Sequence, residues 1–260
     1  MGRKMAEEPV KLERQEHLAT ITLNRPERRN SLNLEVLQGL ARAFAQLAGD
    51  SSVRVLTIRG AGRIFCAGID LQEAERLEAD RSVTSLEQIY HQLEQLPFPT
   101  VAAVQGAAIA GGLQLALHCD FRIAAESCRL GMTNGRIGLT IPFDLARKLI
   151  EIAGSSNTTY LLLTAQLVDA RQALDMGLVH QVVAEEQLDE TVSAFASQLA
   201  DNAPLSMRTM KAIVRRCTSG AFDAYHEDLE RLNAQVLASA DLKEGLRAFL
   251  EKRKPVWRGK

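Results

Sequence analysis

The chain has 260 residues, 46% hydrophobic and 24% charged, with 31 basic against 32 acidic side chains. Near-zero net charge with both signs interspersed excludes the basic footprint of a nucleic-acid binder and the polybasic anchor of a membrane-surface protein. No apolar run reaches the ~20 residues of a membrane helix, four cysteines form no CxxC pair, and five histidines show no metal-ligand spacing, so the chain reads as a soluble, cytoplasmic protein with neither disulfides nor metal.

Residues 1–9 read as a flexible tail without a signal-peptide core. Val10–Leu12 and Leu18–Leu23 read as strands, closed by the turn cluster Asn24-Arg25-Pro26. Asn33 caps a helix whose apolar positions, Leu34, Leu37, Leu40, Phe44 and Leu47, recur at helical spacing. VRVLTIRG is the next strand. FCAGID (residues 65–70) follows it, and then a charged helical run to about Asp80. A helix from Thr84 to Leu96 stops at Pro97 and Pro99. TVAAVQG is a buried strand, GGLQLALHCD a helix that begins at a glycine pair, and FRIAAE another strand. From Pro142 the chain is helical, with turns near Gly154 and Gly177 and one short strand at His180–Val183. Beyond Pro204 the helices carry apolar faces (Met207, Met210, Ile213, Val214, then Leu229, Leu232, Val236) that need a core or a neighbouring subunit to cover them.

Strand–strand–helix units followed by helices point to an α/β fold. The chemistry concentrates in two glycine turns. In FCAGID, Cys66 has no His or Lys beside it to activate a thiol, and a small buried hydrophobe is the better reading. Gly68 allows a tight path that frees the Ile69 amide at a helix start. The second turn, Gly106 to Gly112, ends a strand and opens a helix at Gly111, where N–H groups have no helical partner. Two such amides aimed at one point would form an oxyanion hole.

With these motifs in place the chain resembles the crotonase superfamily, the enoyl-CoA hydratase/isomerase family. The matching pieces are NRPERRNSL, FCAGID, PTVAAVQGAAIAGGLQLALHCDFRIAA, ARQALDMGLVHQVV and EGLRAFLEKRKPVWRGK, in the family's order along almost the whole chain. The resemblance implies a crotonase-type spiral of ββα units over residues 10–200 and a C-terminal helical region, 201–260, for assembly into a homotrimer or a dimer of trimers. It implies an acyl-CoA substrate with no separate cofactor, polarised by the amides of Ile69 and Gly111, with Ala67, Gly68 and Gly112 among the substrate-binding residues. Arg28 or Arg29 would meet phosphate, Phe249 and Lys252 would touch CoA across a subunit boundary, and Asp70 would bond the backbone of its own turn.

Well-known hydratases of the family carry two glutamates where this chain has Gln114 and Asn134, and amides are not acids or bases near neutral pH. GLTIPFDL resembles the mitochondrial enoyl-CoA isomerase version of its turn, and also the methylmalonyl-CoA decarboxylase version. Two replacement acids stand out. Asp144 opens the helix PFDLARKLI, where it is equally suited to capping. Glu87 lies one turn from His91, near where the chlorobenzoyl-CoA dehalogenase branch carries a histidine, although an exposed helical pair explains it as well. The reading is therefore an acyl-CoA enzyme of hydratase or isomerase type, with a decarboxylase or a silent acyl-CoA binder as alternatives.

Overall fold

A computed structural model of the chain describes residues 8–73, 85–218 and 227–260. Most of the tail and the charged run expected after Asp70 lie outside these residues. Glu8 and Pro9 are tied to the body: Asn24 donates its backbone N–H to the Pro9 carbonyl at 2.8 Å and its side-chain amide to the Glu8 carbonyl at 3.0 Å.

β1 (Val10–Gln15) and β2 (Leu18–Leu23) form an antiparallel hairpin, longer in its first strand than the sequence suggests. The Asn33 side chain accepts the Val36 N–H at 3.0 Å and starts α1 (Leu34–Ala48). That helix buries Val36, Leu37, Leu40, Ala43, Phe44 and Leu47 on one face, each large side chain worth about 1.5–3 kcal/mol of transfer free energy. β3 (Val55–Gly60) runs parallel to β2. A Ser85/Gln88 capping box opens α2 (Leu86–Gln95), two residues later than expected. β4 (Thr100–Val104) follows, and after it β5 (Ala107–Ile109), α3 (Gly111–Leu117), β6 (Phe121–Ala125) and β7 (Arg129–Gly131). Next come α4 (Phe143–Thr164), β8 (Val168–Asp169), α5 (Ala170–Asp175), β9 (Gln181–Val183) and α6 (Leu188–Ala200). The chain finishes with α7 (Pro204–Thr218), α8 (Glu227–Ala238) and α9 (Ala240–Leu250).

The strands form a six-stranded sheet ordered β1-β2-β3-β4-β6-β9, parallel after the first hairpin, and a three-stranded sheet ordered β5-β7-β8. The large sheet is covered on both faces. Leu56, Ile58, Ala102, Val104 and Ala124 point into the main core with α1 and α2. Their neighbours Val55, Val101, Ala103, Ile123 and Ala125 pack against Leu188, Val192, Ala196 and Ala200 of α6. Burial on both sides explains why TVAAV reads as a continuous apolar run. The short strands β5, β7 and β8, two or three residues each, escape sequence reading because so few residues show no periodicity. The turn expected near Gly154 is real: that residue has φ 75° and breaks α4.

The C-terminal segment folds back on its own chain. Trp257 Nε1–H donates to the Asp201 carbonyl at 2.5 Å, and the buried Asp241 carboxylate accepts the Arg258 and Gly259 N–H groups at 2.7 and 2.9 Å. Met207, Leu232 and Val236 are half-buried, the Leu229 side chain lies outside the described residues, and Met210, Ile213 and Val214 are exposed.

Candidate active site

Residues 65–70 leave β3 and run between two other backbone segments. On one side Cys66 donates to the Ala107 carbonyl and accepts from Ile109 N–H, both at 3.1 Å. On the other, Ala67 donates to the Arg29 carbonyl at 3.1 Å, and Leu32 N–H donates to the Gly68 carbonyl at 2.8 Å. The first turn is thereby stitched to the second.

Those bonds also set the direction of two amides. In a trans peptide the C=O and N–H of one unit point opposite ways. The Gly68 carbonyl is engaged by Leu32, so the Ile69 N–H points away from Leu32. The Ala110 carbonyl accepts the Gln114 N–H at 2.9 Å along α3, so the Gly111 N–H points back out of the helix start. Neither N–H takes part in a hydrogen bond among the described residues. Ala110 holds φ 48° and ψ −115°, a costly conformation for a residue with a Cβ. The turns touch: a Cβ built on Gly68, which has φ 95°, would lie 3.5 Å from the Gly111 nitrogen and 2.8 Å from the Ile109 carbonyl oxygen. A Cβ on Gly112 would overlap the Cys66 carbonyl. Both positions demand glycine.

Cys66 itself is fully buried, and burial pushes its thiol up to about 12, so no thiolate forms near neutral pH. Tyr90 lies beside it. The phenol, also buried, donates its O–H to the Gly111 carbonyl at 2.9 Å.

Asp70 does more than bond its own turn. It accepts the Gln72 N–H at 3.3 Å, but also the Ser31 hydroxyl at 3.2 Å, Arg25 at 3.3 Å and Arg28 at 3.4 Å. Burial, the largest single influence, pushes its pKa up. The Ser31 hydrogen bond, the Arg28 charge, the Gln72 amide and Arg25 together outweigh it and hold the carboxyl below its ordinary value. Arg28, expected to face phosphate, is thus engaged by Asp70 and by Gln72 at 2.6 Å. Arg29 is exposed in a left-handed conformation, φ 53°.

The acid candidates separate. Gln114 is half-buried on α3. Asn134 opens a short 3-10 turn; its Nδ2 reaches the Thr140 carbonyl at 3.4 Å, while its Oδ1 is buried without a partner among the described residues. Asp144 is exposed in the first turn of α4 and makes no cap, since the N-cap is Pro142 with no side-chain bond. Glu87 and His91 do not form an ion pair; the His91 ring instead meets Gln95 at 3.4 Å. Glu87 lies close enough to the Tyr90 phenol for its charge to raise the tyrosine pKa, behind the larger effects of burial and of Cys66. Glu87 itself is exposed, on the same helix as Tyr90, while Gln114 donates its backbone N–H to the Ala110 carbonyl of the second turn. Phe249 is 82% exposed at the end of α9, next to Lys252 in a left-handed turn, far from these residues in sequence.

Sequence reading missed Tyr90, Arg25, Ser31 and His118. Tyr90 shares the apolar stripe of α2 with Ile89 and Leu93, so only its O–H distinguishes it from ordinary core. His118 ends α3; its Nδ1–H donates to the Gln114 carbonyl at 2.7 Å, and its ring stacks on Tyr90 with centroids 4.9 Å apart. On its other side Glu94 lies 3.9 Å away and pairs with Lys148.

Burial holds the His118 imidazole below its ordinary pKa, outweighing Glu94 and the Gln114 bond, which act the other way. Burial, then the Arg122 charge, does the same to His180. An unfolded chain would protonate both at higher pH than the native one. Their contribution is therefore fully present above pH about 6.5 and is lost as pH falls from there through the native values. Denaturant midpoints are expected to drop between pH about 7.5 and about 5, with a smaller drop in His118→Gln. A flat profile in the parent protein would contradict the burial argument.

A family model described as enoyl-CoA hydratase/isomerase matches residues 13–260. A Thermus thermophilus relative is 38% identical over 245 residues, covering 92% of this chain and 96% of that one. The crotonyl-CoA hydratase of Syntrophomonas wolfei is 34% identical, covering 96% and 98%. Among solved structures, an enoyl-CoA hydratase/carnithine racemase from Magnetospirillum magneticum superposes with a TM-score of 0.91 at 32% identity, covering 98% of this chain and 97% of that one. An enoyl-CoA hydratase from Bacillus anthracis gives 0.86 at 32% identity, covering 97% and 100%.

Proposed function

The chain belongs to the enoyl-CoA hydratase/isomerase family, and from that membership we propose that it binds an acyl-CoA thioester and stabilises its enolate between the amides of Ile69 and Gly111. The observation that carries the reading is the pair of N–H groups that make no hydrogen bond among the described residues, on turns whose glycine backbones lie in contact. As the thioester loses an α-proton or gains a nucleophile at the β carbon, charge moves onto its carbonyl oxygen. Fixed donors at that oxygen bind the transition state more tightly than the ground state. One such donor is worth roughly a hundred- to a thousandfold in rate.

The proton is moved by Glu87 in this proposal, because Glu87 stands three residues before Tyr90 on α2 and the Tyr90 phenol holds the Gly111 carbonyl of the second turn. Gln114 and Asn134 are neutral amides that neither give nor take the proton. A single carboxylate fits proton transfer within one enoyl thioester, the isomerase pattern, better than two-acid hydration. Arg29 is the cation left for a CoA phosphate, with Phe249 and Lys252 contributing from a second copy. The exposed apolar residues Leu237, Leu246, Phe249 and Leu250 are consistent with assembly through the C-terminal helices. Four free thiols suit a reducing, cytoplasmic setting.

The test is incubation with short and medium enoyl-CoAs in deuterated water. We expect loss of one α- or γ-hydrogen to solvent, read by mass spectrometry, together with movement or hydration of the double bond. Tight thioester binding without either exchange or turnover would replace this reading with that of a silent acyl-CoA binder.

A further inference from the structure

We infer that Tyr90 is a positioning residue that sets the direction of the Gly111 N–H, and through it the strength of the second donor. The inference rests on the reading proposed above and goes beyond it, because Tyr90 belongs to α2 and to neither glycine turn.

Gly111 has little of its own to fix its peptide planes. A glycine at the first position of a short helix has the widest choice of φ and ψ of any residue. It follows Ala110, whose positive φ is strained and would relax if the neighbouring peptide could rotate. On one side the Ala110 carbonyl is held by the Gln114 N–H. On the other the Gly111 carbonyl is held by the Tyr90 O–H at 2.9 Å. Gly111 is thus pinned at both of its peptide units, one by its own helix and one by α2. Side-chain oxygen and backbone are in close reach, since a Cβ on Gly111 would meet the Tyr90 oxygen at 3.3 Å.

The phenol can serve as a fixed post because its ring is itself immobilised. Tyr90 is 1% exposed, and its ring stacks on His118 with an interplanar angle of 21°. His118 bonds the Gln114 carbonyl, so Tyr90 is braced against the far end of the same helix whose first residue it holds. Charged and titratable groups around the phenol are Glu87 on its own helix, Cys66 on the first turn and His118 on α3, with Glu94 and Lys148 behind His118. A hydroxyl placed here costs desolvation, and Phe would fill the same volume without that cost. Holding the Gly111 carbonyl is what the hydroxyl adds.

Tyr90→Phe removes one oxygen and keeps the ring stack. The parent protein, Tyr90→Phe and Gln92→Ala, an exposed control on the same helix, are compared in two ways. The first is turnover of an enoyl-CoA. Tyr90→Phe is expected to lower kcat about ten- to a hundredfold with KM changed less than about threefold, as for a misplaced donor rather than a lost binding contact. The second is isotope-edited infrared spectroscopy of a bound ¹³C-thioester. The carbonyl stretch should fall on binding to the parent protein and to Gln92→Ala, and fall clearly less in Tyr90→Phe. Fluorotyrosine at position 90 keeps the packing and strengthens the donor, and should preserve the full carbonyl shift even if Tyr90→Phe folds poorly.

Equal kcat and equal carbonyl shift in Tyr90→Phe and the parent would overturn the positioning role while leaving the proposed function intact. So would a lost shift in the fluorotyrosine protein. A parent protein that binds thioester with no carbonyl shift at all would overturn the two-amide reading itself, and this inference with it.

Discussion

Gly112→Ala is expected to reduce enoyl-CoA turnover by at least about a hundredfold while leaving a folded protein. The added methyl has no room: it falls on the Cys66 carbonyl, the atom that accepts the Ile109 N–H and joins the two turns. Something must move, and either α3 shifts outward or the bridge at Cys66 opens. Each outcome separates the Ile69 and Gly111 amides, and a donor displaced by about 1 Å loses most of its value to a developing oxyanion. Overpacking of this kind also costs about 1–3 kcal/mol of stability, so a control must separate instability from misplacement. Gly39→Ala provides it: a Cβ there lies 2.8 Å from a Val10 methyl in the core beneath α1, remote from the turns. Gly39→Ala should be destabilised yet turn over substrate within about threefold of the parent. Cys66→Ala should also retain activity, because it removes only a buried, protonated thiol. Near-normal turnover by Gly112→Ala would show that the junction of the turns does not govern the reaction.

The second large effect separates the two carboxylates. Glu87→Gln is expected to lower kcat by about a hundredfold or more, the usual contribution of a positioned acid or base. Asp144→Asn is expected to stay within about threefold of the parent in kcat. Asp144 sits exposed in the first turn of α4 without a cap bond, where a carboxylate complements the helix dipole by about 0.3–1 kcal/mol. Its substitution should register in the unfolding midpoint instead. The variants differ from the parent only by exchange of a carboxylate for an amide of the same shape, so packing is constant. The reverse pattern, collapse of Asp144→Asn with Glu87→Gln unaffected, would move the proton transfer to α4 and leave Glu87 as a solvated helical charge.

The two glycine turns were legible before any coordinates, because their shape is a backbone property. Gly68 and Gly112 are needed where another chain segment occupies the space of a Cβ, and a strand that ends in small residues before a helix marks such a place. The helices were legible for a similar reason. Asn33 with Leu37, Leu40, Phe44 and Leu47 carries both a start signal and a period. Strands β5, β7 and β8 were not, since two or three residues hold no period and their pairing partners lie up to about forty residues away.

Side chains that act by meeting another element stayed hidden. Tyr90 fits the stripe of α2 as any apolar residue would, and Arg25 sits in a turn chosen for its Asn and Pro neighbours. Their roles depend on Gly111 and Asp70, which are 21 and 45 residues further along the chain. Local order along this chain, which elements form and where the backbone must be glycine, is written in residue spacing because sterics and periodicity act over a few neighbours. The donors' directions, the burial that silences Cys66 and the bond from Tyr90 to Gly111 come from contacts between distant segments. Distance and dielectric exist only once the chain has folded, so no local pattern could have carried them.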